Sequence, residues 1–293
     1  MSLPGATLPA KTYTAYILRK GDNDQVHRWG GVHISNAGGT PVRDLQTALA
    51  TVGAYDRKVD GDFGKWTDTA VRRFQWNLRN LRDRLVHGNL QAVSPNPAIV
   101  INGTADAATR TELQNWVAGS VVTTGNLVRA KVSAYANFQN GFKLIPHPSI
   151  TGDDIVVDAD FVPRLRLLND RAQTANVDLI ITQAFRVQGA PVSGAVVQPA
   201  THSQHLIGHA IDCNILDGDT RINSDAFAKG EETDAADLFV NNVKAAGLRW
   251  GGDFTPVDYV HFDDYVAPHS DAYEMRFYFN QRMISLRQPI PAA

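Results

Sequence analysis

The segment Ser203-Gln204-His205-Leu206-Ile207-Gly208-His209-Ala210-Ile211-Asp212 constrains the chain more than any other. His205 and Asp212 stand seven residues apart, which is not the i, i+4 spacing that places two side chains on one helix face. A loop and a strand must therefore supply them, with Gly208 letting the backbone fold back in between. From Ala210 to Ile215 the pattern has period two, so Asp212 shares a face with Ala210 and Asn214 while Ile211, Cys213 and Ile215 enter a core. A second segment complements the first: Trp250-Gly251-Gly252-Asp253-Phe254, then Asp258-Tyr259-Val260-His261-Phe262. Two histidines and a carboxylate, His205, His261 and Asp212, are the donor set of a catalytic zinc site with one position open to water.

Asp258 is the candidate acid/base, because water activated at such a site must give up a proton and the leaving amine must receive one. In a flat strand Asp258 and His261 face opposite sides, so this role requires a bend near Val257-Asp258. Arg186, at the end of the run Thr182-Gln183-Ala184-Phe185-Arg186, offers positive charge where an oxyanion develops. His202 and His209 read as surface or hydrogen-bonded histidines, and Cys213 as a small core residue. Asp263, one strand period past His261, reads equally as a partner behind that histidine or a surface carboxylate.

With 293 residues the chain can hold one large or two medium domains. The charge, 28 Lys/Arg against 30 Asp/Glu, gives −2 and no general electrostatic case for nucleic acid or an anionic membrane. One cysteine excludes an internal disulfide framework. No stretch approaches the length of a membrane span, and Met1 to Lys20 lacks the apolar run of a secretory signal. Synthesis in the cytoplasm is the expectation, with any extracellular work needing another route out.

Residues 1–39 form an extension of uncertain structure, with a short strand suggested at Tyr13–Leu18 and loop at 21–39. A helix starts at Thr40 as N-cap and Pro41 as first helical residue, carries Val42, Leu45, Leu49 and Val52 on one stripe, and closes at Gly53. A second helix runs from Trp66 with the stripe Val71, Phe74, Leu78, Leu81 and Leu85, and a third covers Ala105–Val117. The chain also echoes itself: Val59-Asp60-Gly61 precedes Thr67, and Ile101-Asn102-Gly103 precedes Thr109 at the same offset. Residues 121–141 read as a connector with a short helix from Leu127 to Asn140. In the half from residue 142 to 293, Asp160 is expected to cap a helix from Phe161 to Ala175. Val177–Thr182 and Tyr259–Phe262 should be strands, and Asp237–Ala246 a helix ending at Gly247. Helices and strands mix without a βαβ repeat, so this half is expected to be α+β with an antiparallel-rich sheet, after an all-α first domain.

Residues 40–120 resemble the three-helix peptidoglycan-binding domain found beside many cell-wall hydrolases. The residues carrying the likeness are Asp44-Leu45-Gln46, Leu49, Gly53, Asp60, Gly61, Phe63, Gly64, Thr67, Phe74 and Gln75, then Asn102-Gly103, Thr109, Leu113 and Trp116. The segment Arg82–Val100 is an insertion relative to that pattern. Residues 43–84 carry nine Lys/Arg and six Asp, nine minus six giving +3, which suits an anionic wall polymer.

The second half resembles the LAS metallopeptidases: D-Ala-D-Ala carboxypeptidases, phage L-alanyl-D-glutamate endopeptidases and hedgehog-type relatives. The likeness rests on Ser-x-His-x-x-Gly-x-Ala-x-Asp, Trp-x-Gly-Gly-Asp-Phe and Asp-x-x-His-Phe. It implies Zn2+ held by His205, Asp212 and His261, with Asp258 as acid/base and Arg186 as electrostatic stabiliser. Ser203 would orient a ligand or the substrate. Gln183-Ala184 departs from the Ser-Gly usual before the aromatic-Arg pair. Together the two likenesses imply a monomeric, phage-type endopeptidase that cuts peptidoglycan between L-Ala and D-Glu. A carboxypeptidase releasing D-Ala and a wall-binding protein with structural zinc are the alternatives.

Overall fold

The computed structural model describes residues 16–24, 26–29, 32–35, 40–142, 144–190 and 201–293. Tyr13 to Ala15, part of the strand expected at Tyr13–Leu18, and residues 36–39 of the expected loop lie outside them. The chain divides into two compact units, Met1–Thr124 and Gly125–Ala293.

In the first unit, β1 (Tyr16–Ile17), β2 (Val26–Trp29) and β3 (Val32–Ser35) form a small antiparallel sheet where the sequence suggests loop from residue 21. Three helices follow, α1 (Pro41–Thr51), α2 (Lys65–Asn80) and α3 (Ala107–Ala118). Their apolar stripes make one core, in which Leu45, Leu49, Phe74 and Leu113 are fully buried. Phe74 meets Trp116 edge to face, with centroids 5.1 Å apart at 83°. Thr40 and Pro41 stand where the sequence puts them, but the Thr40 hydroxyl donates to Asp44 instead of capping the helix. Asp24 does that work from the preceding loop, its Oδ1 accepting the N–H groups of Val42 and Arg43 at 2.9 and 3.1 Å.

The helix α2 stops at Asn80, so Leu85 is not on its stripe. Leu81 turns extended (ψ 141°), and the expected insertion folds into a hairpin, β4 (Asp83–Val86) and β5 (Asn89–Ala92), with β6 (Val121–Val122) beside β4. The tight turn at His87-Gly88, both with positive φ, joins the strands.

The internal echo has a physical basis in two buried glutamines. Gln46 accepts the N–H groups of Asp60 (3.0 Å) and Gly61 (2.9 Å), and its amide donates to Asp60, to the Asp62 carbonyl and to Thr67. Gln75 accepts the N–H groups of Asn102 (3.1 Å) and Gly103 (3.0 Å), and its amide donates to Asn102, to the Thr104 carbonyl and to Thr109. Each glutamine thus ties the preceding helix to the next Gly turn and to the threonine starting the following helix. Phe63, Phe74 and Gln75 are fully buried, so these motif residues hold the fold and present nothing to a ligand. Gln75→Ala leaves two backbone donors and a hydroxyl unsatisfied, and should destabilise this unit by about 2–3 kcal/mol in denaturant unfolding. A change below about 0.5 kcal/mol, the ordinary size of a surface substitution, would show that the staple is idle.

The second unit opens with β7 (Leu127–Lys131) and β8 (Phe138–Asn140), where the sequence suggests a short helix. Tertiary pairing overrides local propensity here: β7 forms a ribbon with β9 (Asp154–Asp158), and β8 lies parallel to a central strand. The expected capping by Asp160 also shifts. Asp158 accepts the Asp160 N–H at 3.0 Å in a 3-10 turn, α4 (Val162–Ala175) starts after Phe161, and Asp160 pairs with Arg276 instead. The order continues with β10 (Asp178–Gln183), β11 (Ala210–Asp217), β12 (Thr220–Ile222), α5 (Ser224–Lys229), α6 (Asp234–Ala245), β13 (Arg249–Trp250), β14 (His261–Asp263) and α7 (Asp271–Ser285).

The main sheet runs β13-β14-β11-β10-β8, with β12 also on β11, and only the β8–β10 pair is parallel. Helices α4 and α6 pack on each other and on β10 and β11. Beneath them Ile211, Cys213 and Ile215 join Leu165, Leu168, Phe239 and Val243 in one core. The alternation of β11 then leaves Asp212 on the opposite face. No helix among the described residues is long and apolar enough to cross a membrane.

Candidate metal centre

Two antiparallel strands bring the distant residues together. The register of β11 and β14 sets Asp212 directly opposite His261, so two side chains 49 positions apart become cross-strand neighbours. His205 reaches them from a 3-10 turn at Gln204–Leu206, and Gly208 follows with φ +80°. A Cβ on Gly208 would lie 2.5 Å from the Asp158 backbone nitrogen, so this return of the chain admits glycine alone. The turn is secured on both sides. Arg186 donates its N–H to the His205 carbonyl (2.9 Å), and the Gln204 amide exchanges hydrogen bonds with the backbone of Val266.

His205 Nε2, His261 Nδ1 and Asp212 Oδ1 form a triangle with sides of 3.0, 3.1 and 3.1 Å. The outward nitrogens decide what this triangle means. His205 Nδ1 lies 2.7 Å from the Ala184 carbonyl, and His261 Nε2 lies 2.8 Å from Asp263 Oδ2. Both partners only accept, so each neutral imidazole spends its single proton outward and turns a bare lone pair inward. With both imidazoles neutral, two lone pairs and a carboxylate converge with no donor among them, an arrangement that suits a cation. Two imidazoles and one carboxylate form a donor set that suits a borderline metal ion.

The surroundings favour an ionised Asp212 and, in the absence of a metal ion, a proton on His261. Burial opposes ionisation of Asp212, but its contacts with His205 and His261 hold the carboxyl far below its usual range. Burial likewise opposes a charged His261, yet the hydrogen bonds with Asp212 and Asp263 raise it to about 9 when no metal competes for Nδ1. Asp263 is fully buried behind His261 and is gripped by Arg249 through two bonds of 2.7 Å. It is therefore the partner behind the histidine, not a surface carboxylate. Arg249, sandwiched between the rings of Phe254 and Tyr265 at 4.8 and 4.0 Å, is a member that sequence reading missed. Its position on the neighbouring strand, opposite Asp263, is a property of sheet register and has no local signal.

Asp258 does not lie on a strand. Its carbonyl accepts the His261 N–H at 3.0 Å, closing a turn over Tyr259 and Val260, so β14 begins at His261 and not at Tyr259. That turn supplies the bend the Asp258 assignment requires. Gly251 makes room for it: a Cβ there would stand 2.0 Å from the Asp258 carbonyl oxygen. Burial raises the Asp258 carboxyl above its usual range and Asp212 adds to this, while His261, His205 and Arg186 pull the other way. Burial lowers Arg186, against the influence of Asp212, Tyr273 and Asp258. These mutual influences put Asp258 and Arg186 in the electrostatic neighbourhood of the triangle. Arg186 also borders a cleft of about 410 Å³ lined by Phe142, Ile150, Val156, Phe185 and Val187.

The other residues take structural places. Ser203 accepts the His205 N–H at 3.3 Å and, through its carbonyl, the Tyr273 hydroxyl at 2.9 Å, so it caps the turn. Cys213 is buried in the core, where burial pushes its thiol up. His209 is buried, not on the surface, with Asp264 2.8 Å and Asp158 3.6 Å away. Although burial opposes its charge, these carboxylates raise it to about 9. Asp158 also receives Asn280 at 2.9 Å, so His209 belongs to a buried polar tie between β9, β11's approach and α7.

Comparison with known families agrees with both halves. Residues 38–80 match the family model of a peptidoglycan-binding domain, and residues 197–264 match an M15 peptidase model described as D-alanyl-D-alanine carboxypeptidase. No curated protein matches the chain. A peptidoglycan-binding domain followed by a peptidase domain is the architecture of a peptidase directed at the bacterial cell wall.

Proposed function

We propose that the protein is a zinc-dependent endopeptidase that cuts the peptidoglycan stem peptide between L-Ala and D-Glu, in the manner of phage lysis enzymes. In this reading a peptidoglycan-binding domain at 40–120 concentrates a monomeric enzyme on its insoluble substrate, and a peptidase domain at 142–293 does the cutting. The enzyme acts on the wall after leaving the cytoplasm. The observation that carries the reading is the donor-free triangle of His205, Asp212 and His261, with Asp258 and Arg186 beside it.

Zinc, if held by His205, Asp212 and His261, would supply Lewis acidity toward a scissile carbonyl and toward water. The protein's own groups do the rest. Asp258, its carboxyl raised by burial, accepts a proton from the attacking water and returns it to the departing amine. Arg186 makes no ion pair among the described residues, so its charge is available to an oxyanion. Asp263 and Arg249 keep His261 in the tautomer whose Nδ1 faces inward.

A second reading, a carboxypeptidase that releases terminal D-Ala, is favoured by the description of the matching peptidase family. Digestion of purified peptidoglycan followed by mass spectrometry separates the two. New L-Ala carboxyl and D-Glu amino ends support the endopeptidase. Free D-Ala without new internal ends would establish the carboxypeptidase, and no product at all would leave a wall-binding protein with structural zinc.

A further inference from the structure

Outside the metal centre, the described residues contain one other group of three potential metal ligands: His202, His269 and Glu274. They come from two segments, the turn just before Ser203 and the approach to α7 with its first turn. Glu274 Oε1 lies 3.8 Å from His202 Nε2 and 3.9 Å from His269 Nδ1, and the two imidazole rings are 4.1 Å apart between centroids. One ligand atom from each of the three falls within 4.8 Å of the others. Bonds of about 2.0–2.2 Å to a tetrahedral ion would separate the donors by about 3.4 Å, so small rotations of exposed side chains close the site.

Two features argue that the convergence has a ligand. Among the described residues no hydrogen bond satisfies any of the three side chains, although they face one another. Their backbones are also already tied: the Tyr273 hydroxyl donates to the Ser203 carbonyl at 2.9 Å, and the Tyr273 ring packs on His202 at 5.6 Å. An ion would therefore bridge two segments held in place beforehand, at low ordering cost. The donor chemistry narrows the ion. Two imidazoles with one carboxylate favour zinc, nickel or copper over calcium and magnesium, which take oxygen ligands. The side chains of His202, His269 and Glu274 are 33%, 73% and 47% exposed, so water can complete the coordination and the affinity should be weaker than at a buried site.

We propose that His202, His269 and Glu274 form a second, surface site for a late divalent transition metal, which clamps the segment leading into the His205 turn onto α7. It is separate from the buried triangle and does not depend on the catalytic reading. Equilibrium dialysis of metal-free full-length protein against zinc chloride, with metal counted by mass spectrometry, tests it. The expected result is two zinc ions per chain for the wild type and one for His269→Ala and for Glu274→Gln, with the tighter binding step unchanged in both. His205→Ala should keep only the weaker ion. His269 is exposed, so circular dichroism of His269→Ala should match the wild type. A wild type that binds one zinc in the tighter step alone, or a His269→Ala variant that still binds two, would overturn the proposal. Loss of the tight step with the weak one retained in the wild type would instead count against the catalytic zinc.

Discussion

Asp258→Asn is expected to lower kcat on peptidoglycan by about 10²–10⁴-fold, the usual range for removing a general acid/base, with bound metal unchanged. The substitution keeps size and shape while removing the ability to carry a proton. It should not disturb the local backbone, because Asp258 holds its turn through its main chain: its N–H donates to Gly251 at 2.8 Å and its carbonyl accepts from His261. Nor is Asp258 part of the triangle, so metal content measured beside activity separates chemistry from metal loss. Burial and the nearby Asp212 charge raise its carboxyl, and His261, His205 and Arg186 restrain the rise, which brings its proton affinity closer to the working pH than an exposed aspartate's. A variant that retained kcat within a few-fold would remove Asp258 from the mechanism and leave no acid in the role.

Metal removal should have the second large effect, on both activity and stability. Chelation is expected to abolish hydrolysis and to lower the unfolding temperature of the second unit. The ligands come from a 3-10 turn, β11 and β14, so one ion joins three segments distant in sequence. Without it, His205, Asp212 and His261 lose the ion that ties their three segments together, and a proton on His261 is left to hold the buried carboxylate across 3.1 Å. An ion at 1,000 times its Kd adds about 4 kcal/mol of stability by linkage. For a unit of this size that corresponds to a shift of about 10 °C, readable by calorimetry with and without chelator. An unchanged unfolding temperature after verified metal loss would sever the proposed coupling between site and fold.

Much of this was legible in the residues, for identifiable reasons. Helical stripes such as Val42, Leu45 and Leu49 are local periodicities, and all three residues are buried in the core of the first unit. The strand at Ala210–Ile215 showed its buried face by alternation, and Ile211, Cys213 and Ile215 are in the core. The loop-plus-strand origin of His205 and Asp212 followed from spacing alone. The echo between Asp60-Gly61 and Asn102-Gly103 was visible as a repeat, but its cause, a buried glutamine reaching across to each turn, was not.

The misreadings share one physical cause. Residues 127–140 carry no strong strand pattern and become strands because β9 and β10 offer edges to pair with. The loop reading of 21–39 failed in the same way at β2 and β3. Asp160 looked like a cap because aspartate before an apolar run usually is one, yet Asp158 had already taken the local N–H and Arg276 the Asp160 charge.

The sequence by itself determined which residues can be chemical, since imidazole and carboxylate donors, a glycine return and a two-residue strand period are written locally. Only the tertiary structure decided how they act. The β11–β14 register set Asp212 against His261, the turn at Asp258 gave the bend that a strand would deny, and Arg249 reached Asp263 across the sheet. Proton placement on both histidines depends on partners 21 residues away for His205 and two away for His261. Register and packing are sums over many weak, distant contacts, so no local stretch of the chain encodes them.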